Sequence, residues 1–466
     1  MKNRIEAYFE SEKENILRDL GSLIEIPSVR GEASEGAPFG EQPRKALEKM
    51  LSIAESYGFS VLNVDNFAGE ISFHGGDAKL AMLGHLDVVP EGDGWTVPPY
   101  ELTVRDGKVF GRGTSDDKGP VVAALYAMKC IRDLDIKLTG DVRLVVGTSE
   151  ETGGNDIEYY SAHRGMPPMV FTPDSSFPVT NVERGHFSKH FASDITPDSK
   201  SSGGKLVSFN GGFVINAVPN KANVVFSGFE RSRIEALASK ISERTGIKFE
   251  VSESENEVTV FAFGVGAHAS TPELGNNPIT ALLALIDELE SDSNTLKPFK
   301  TLAKFFPHGM TRGEGLDVAM KDDISGELTM TLDILNFDGS HIEGAFDTRA
   351  PLCANEENLA FKVRDKLAET GFTLDSTFIT PIHHVDGNSD FVKKLLSAYE
   401  EVSGREGYCE AIGGGTYVHD IDGGVAFGAV MPEVDTNMHG ADEFMPIDDL
   451  ITAAKIFTKA IINICG

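Results

Sequence analysis

The sequence predicts an α/β protein: a mixed, largely parallel sheet with helices on both faces, interrupted by an inserted α+β domain. Three observations predict it. The first part of the chain alternates helix-period and strand-period segments, the pattern of a parallel sheet covered by helices. From about residue 187 the texture changes to strand–turn–strand patterns and a strand–helix–strand order that occurs twice. After about residue 383, Gly-rich turns, short apolar strands and a final helix return. Residues 1–186 and 383–466 therefore form one expected domain, and residues 187–382 an inserted one.

Taken in order, residues 3–22 and 41–57 carry apolar residues at helical spacing, and Gly58 stops the second run. "LAMLGHLDVV" (80–89) and "DVRLVVGTSEE" (141–151) read as buried strands, with "GPVVAALYAMKCIRDL" (119–134) as the helix between them. In the insertion, residues 221–253 read strand, helix, Gly stop, strand, and residues 344–378 repeat that order, an internal pseudo-repeat. Residues 249–264 and 328–347 read as strand–turn–strand, and 447–463 as the last helix. Ligand sites in such sheets lie beyond the carboxyl ends of the strands.

Composition narrows the partners. The 466 residues include 72 acidic and 42 basic side chains, a formal net charge of −30. That charge excludes nucleic acid and anionic membrane surfaces as expected partners. The four cysteines lie far apart with no C-x-x-C pair, against a thiolate metal site or a disulfide framework. The first twenty residues are amphipathic and charged, unlike a signal peptide, and no apolar run approaches the roughly 18–20 residues of a membrane span. A cytoplasmic protein is expected.

The polar groups at strand ends carry the chemistry. His85 and Asp87 lie two apart and so share one face of a strand; a metal-ligating His usually has its other nitrogen fixed by a carboxylate or carbonyl. Asp116 and Asp117 sit in the glycine-bracketed loop "GRGTSDDKGP", and Glu150 and Glu151 follow a strand in "GTSEETGGND". Asp174 follows the short apolar run before "TPDSS", and His439 lies in "NMHGADEF". Alone, each has a plain reading: a core histidine, a helix N-cap, a solvated acid pair. Gathered in one cleft they are different. Two unit charges at 4 Å repel by about 4 kcal/mol at an effective dielectric near 20. Three or four such acids would cost a sizeable share of a typical stability of roughly 5–15 kcal/mol. Two divalent cations and a hydroxide would neutralise three ligating carboxylates, which favours a two-metal site.

At this point the ordered set "GHLDVVP", "GRGTSDDKGP", "SEETGG", "TPDSS" and "MHGADE" resembles the co-catalytic two-zinc exopeptidase and deacylase family. "WTVPPYE", "GNDIEYY", "GVGAHASTPE" and "IGGGTYVHDI" are similar to its PepV-like bacterial dipeptidases. The resemblance spans essentially the whole chain and implies a zinc-exopeptidase-like fold whose inserted domain is a lid. It implies two divalent ions, zinc first, with manganese or cobalt as alternatives. One ion would be held by His85, Asp116 and Asp174, and the other by Asp116, Glu151 and His439. It implies Glu150 as general base and acid toward a bridging hydroxide, Asp87 orienting His85, and a cis peptide after Asp116. In the insertion it implies His268 as oxyanion stabiliser, Arg349 gripping a substrate carboxylate bidentately, and Asn216 as a further contact. Gly414, Gly415 and Thr416 would offer backbone amides to the same carboxylate. The plain readings there are a capped turn histidine, a surface charge pair and a glycine turn.

The implied activity is a metallopeptidase cleaving small peptides, an unblocked dipeptide above all. An N-acyl-amino-acid deacylase or carboxypeptidase on the same metals is the alternative, and a non-hydrolytic peptide-binding protein leaves Glu150 and His268 without purpose. With an insertion of roughly 200 residues, the PepV-like resemblance implies a competent monomer, with a dimer as the alternative. No G-x-S-x-G elbow, P-loop, Rossmann fingerprint or H-E-x-x-H occurs.

Overall fold

The computed structural model describes residues 1–75, 77–197 and 203–466. It forms two compact units, one of Met1–Val182, His383–Glu410 and Gly415–Gly466, the other of Glu183–Ile382 with Ala411–Gly414. The edge thus falls at Glu183, a few residues before the position read from sequence. Local pairing explains it: Gly185 and His186 pair with Ala350 and Arg349, and the Arg184 amide donates to the Ile412 carbonyl.

The first unit is built on one sheet, in the order Ser60–Val64, Ala68–Ser72, Asp141–Gly147, Ala78–His85, Met169–Thr172, Val425–Ala426, Val179–Glu183, His383–His384. Its four central strands, from Asp141–Gly147 to Val425–Ala426, run parallel, and the strands flanking them pair antiparallel. The sheet is mixed, parallel only at its centre. Leu80 to His85 are all buried, as a central strand covered on both faces requires. The helix Lys118–Asp133 is buried around nearly its whole circumference, and the helices Lys2–Ile24 and Ile447–Cys465 contribute Phe9, Leu20, Ile456 and Phe457 to the same core.

Two strand readings were too long. The strands end at His85 and Gly147, and the following residues turn away to form the site. The helix Asp390–Ser403 was not read from sequence, although Ser389 caps its start and Gly404, at φ 71°, ends it.

The second unit holds an antiparallel sheet, in the order Lys248–Ser254, Glu257–Phe263, Lys221–Ser227, Lys205–Gly211, Thr329–Phe337, His341–Ala350, Lys189–Asp194, Thr373–Leu374. Helices Arg231–Thr245 and Phe361–Glu369 each connect two strands that flank a third. The helix Pro278–Asp287, "PITALLALID", was hidden in the sequence because it is apolar all round and has no polar face to give a period; eight of its ten residues are buried.

Candidate metal centre

His85 is the last residue of its strand and is fully buried. Its Nδ1–H donates to the Asp87 carbonyl oxygen at 3.0 Å, which leaves Nε2 facing Asp116 Oδ1 at 3.0 Å and Asp174 Oδ2 at 3.6 Å. The orienting group is thus mainly the backbone of Asp87, its carboxylate lying 3.5 Å from Nδ1. That carboxylate has a second task, accepting the amides of Glu150 and Glu151 at 3.1 Å each. One residue therefore ties both strand ends together. Ser28 fixes the same turn, its hydroxyl donating to the Leu86 carbonyl.

Asp116 lies in a buried loop, joined to Asp117 by a cis peptide. The loop is wrapped around Glu443, a fully buried acid that accepts the amides of Gly113, Ser115 and Asp116 and the Ser115 hydroxyl. Arg112 pairs with Glu443 at 2.7 Å and donates onward to the carbonyls of His439 and Gly440. The pair thereby carries the position of Asp116 to the loop that bears His439. Asp117 is no ligand candidate: its Oδ2 accepts the His85 amide at 3.0 Å. Lys118 opens the next helix with Nζ buried and donating to the carbonyls of Leu23 and Ile26, and burial lowers its pKa to about 7.

Glu150 and Glu151 stand on the turn after Gly147. Asp156 accepts the Thr148 and Ser149 amides and the Tyr417 hydroxyl, holding that turn from behind. His439, at φ 63°, faces Asp116 Oδ2 at 2.8 Å and Glu151 Oε2 at 3.3 Å. Two groups of donor atoms result, His85–Asp116–Asp174 and Asp116–Glu151–His439, each gathered within 4.8 Å. Asp116 belongs to both, with one oxygen turned to each histidine.

The electrostatics fit a cation site. Among the described residues, Asp116, Asp174, Glu150 and Glu151 have no Lys or Arg ion-pair partner. Burial and the Asp116 charge push Asp174 up to about 7. Burial and the Asp174 charge hold Glu150 well above the usual carboxylate range, and burial and Asp116 raise Glu151. Burial alone would raise Asp116, but bonds from His439 and His85 hold it low, and Asp116 and Glu151 in turn lift His439 to about 10. Such crowding is what carboxylates show when the charge that balances them is a divalent ion.

The second unit gathers its own set. His268 is exposed, with Nδ1 2.6 Å from the Ser270 hydroxyl, on a short strand whose His268 pairs with Ala217. A side chain at Gly413 would collide with Ser270 and touch Arg349, so these three adjoin. Arg349 is buried rather than a surface charge: Nε and Nη2 engage Asp347 at 2.8 and 3.1 Å, and Nη1 meets the Gly413 carbonyl and His186 Nε2. Its fork is engaged within the unit; of its five N–H donors, one on Nη2 stays uncommitted among the described residues. Asn216 is exposed, its carbonyl accepting the Ala269 amide. Gly414 belongs to the second unit and Gly415 to the first; Thr416 caps the short helix Tyr417–Asp420 with its hydroxyl.

Sequence reading missed Glu443, Arg112, Asp156 and Tyr417. Glu443 follows Asp442 in "GADEF" and looks like a solvated acid; only its burial separates it from its neighbour.

The profile of Peptidase family M20/M25/M40 matches residues 81–463. A putative dipeptidase of Bacillus subtilis, YtjP, is 34% identical over 453 residues, spanning 96% of this chain and 97% of its own. A Beta-Ala-Xaa dipeptidase of Lactobacillus delbrueckii subsp. lactis is 34% identical over 460 residues, 97% and 96% of the two chains. Among solved structures, human carnosine dipeptidase 1 superposes with a TM-score of 0.62 at 15% identity, covering 99% of this chain and 98% of that one. The dipeptidase Dug1p of Saccharomyces cerevisiae gives 0.57 at 13% identity, covering 99% and 98%.

Proposed function

The chain belongs to peptidase family M20/M25/M40, and from that premise we propose that it is a metal-dependent dipeptidase acting on unblocked dipeptides. One observation carries the reading: Asp116 divides its two oxygens between His85 and His439, at the junction of two donor groups, with Glu150 beside them. His85, Asp116 and Asp174 would hold one ion, and Asp116, Glu151 and His439 the other. Mixed imidazole and carboxylate donors suit zinc, and the same set accepts manganese or cobalt. When bound, the two ions supply Lewis-acid polarisation of the scissile carbonyl and activation of a water.

The rest falls to side chains. Glu150 takes the proton of the attacking water on its carboxylate and returns it to the leaving nitrogen. Asp87 fixes Glu150 through its amide. His268 is the proposed donor to the carbonyl oxygen as charge builds there. The free Nη2 hydrogen of Arg349, with Asn216 and the backbone of Gly414, Gly415 and Thr416, is the proposed set for the dipeptide's carboxylate.

Four free cysteines and an acidic composition support a cytoplasmic location. No helix among the described residues is long and apolar enough to cross a membrane. From the resemblance to PepV-like dipeptidases and the roughly 200-residue insertion, we assign the activity to the monomer, with the inserted unit as a lid. The function is tested by stripping metal with a chelator, then assaying unblocked dipeptides and N-acetyl amino acids as zinc, manganese or cobalt is restored. Dipeptide cleavage should return with metal. Cleavage confined to the N-acetyl compounds would overturn the reading.

A further inference from the structure

Behind Arg349 lies a buried acid to which the chemistry above gives no role. The strands Thr329–Phe337 and His341–Ala350 pair with Thr329 opposite Arg349 and Thr331 opposite Asp347. Their register shifts between Leu332 and Ile334, which leaves Asp333 as the extra residue of a β-bulge. Bulges re-aim side chains, and this one drives a carboxyl into the interior. Asp333 is 0% exposed, and among the described residues no hydrogen bond of standard geometry reaches either of its oxygens. Its polar neighbours are the Thr331 hydroxyl and the Asp347 backbone; the charged groups facing it are Asp347 and Arg349. The bulge is closed from outside by Gly212, whose missing side chain would stand 1.7 Å from the Asp333 carbonyl oxygen.

Two buried carboxyls thus face one guanidinium, and the guanidinium has chosen. Arg349 gives its fork to Asp347, which also accepts the Ser188 hydroxyl. An ionised carboxylate without donors at this depth is far costlier than the neutral acid, and a second negative charge beside Asp347 raises that cost. Burial and the Asp347 charge accordingly push Asp333 up to about 9.

We propose that Asp333 stays protonated in the working enzyme and is a positioning residue for Arg349, so that Asp347 carries the negative charge against the guanidinium and Arg349 is free to attract a substrate carboxylate. Ionising Asp333 adds a negative charge next to the group that must receive an anion. Arg349's other close neighbours, Arg184 and His186, add none. The inference rests on the reading of Arg349 as a carboxylate contact.

The test compares the metal-loaded wild type with Asp333→Asn, a neutral isostere, on one unblocked dipeptide and its C-terminal amide, from about pH 6 to about pH 11. At neutral pH the two proteins should share one KM. As the pH passes about 9, the wild-type KM for the dipeptide should rise roughly tenfold over that of the variant, with kcat unmoved. The amide should show no such divergence. Ionisation of the substrate's own amine is common to both proteins and cancels in the ratio. A raised KM for the variant at neutral pH, or a ratio flat across the range, overturns the proposal. Infrared difference spectra give a readout independent of turnover: a protonated-carboxyl band present in the wild type at neutral pH and missing from the variant. Absence of that band also overturns it. An Arg349→Lys protein with unchanged KM would instead sink the carboxylate reading itself.

Discussion

Glu150 and Glu151 are neighbours of one residue type, yet the fold gives them different surroundings. Glu151 points at His439 and joins a donor group, whereas Glu150 is in neither group. Replacing Glu150 by Gln should leave metal content near normal and lower kcat by about 10²–10⁴-fold. Elemental analysis beside turnover checks this, and a variant that keeps its activity removes Glu150 from the mechanism. Glu443 makes the opposite case, a residue that acts through others. Its removal leaves Arg112 buried without a counter-charge and four donors of the Asp116 loop unanswered. Glu443→Ala should therefore destabilise the protein by about 3–5 kcal/mol, measured by chemical denaturation, and weaken metal binding as well.

Two parallel strands and one helix start meet at the centre. In the register of the pair, His85 lies beside Gly147, and Gly84 lies where the helix Lys118–Asp133 begins to pass over the sheet. A Cβ on Gly84 would stand 2.4 Å from Val121 Cγ2 and 2.6 Å from Asp117 Oδ2, the atom that accepts the His85 amide. Gly84→Ala should cost about 1–3 kcal/mol through overpacking, read as a lower unfolding midpoint, and should shift His85. Asp87→Asn tests the tie between strand ends. An amide has one oxygen where the carboxylate offers two to the Glu150 and Glu151 N–H groups. About 1–3 kcal/mol of local stability should be lost, and hydrogen exchange at those two amides should accelerate. Unchanged exchange would show that another group holds the turn.

At the scale of the whole molecule, stability should depend on metal and pH together. In the metal-free protein Asp174 and Glu151 bind protons more tightly than in the unfolded chain, and so do His85 and His439. The stability these groups confer is complete below their unfolded pKa values and is lost as pH rises through the folded ones, near 7 for Asp174 and near 10 for His439. The metal-free protein should therefore melt at a lower temperature at about pH 8 than at about pH 6, and added zinc or manganese should raise the midpoint most at the higher pH. A chelated protein whose melting ignores pH in this window contradicts the charge crowding.

Periodicity and turn residues made the sheet, its helices and the polar groups at loop and strand ends legible. The ligand set His85, Asp116, Glu151, Asp174 and His439 was legible through the resemblance of its short motifs to the two-zinc exopeptidase family, which separates Asp116 from Asp117 and Glu151 from Glu150 where spacing alone does not. The tertiary structure alone decided what each neighbour does. Burial made Glu443 a clamp while the adjacent Asp442 stays outside, gave the Arg349 fork to Asp347, and set Asp333 in a bulge beside the Thr331 hydroxyl and the Asp347 backbone. Local sequence encodes where the chain turns and which face is apolar. The partner and solvation of a polar group depend on residues far away in the chain, as Gly113 and Glu443, 330 residues apart, show.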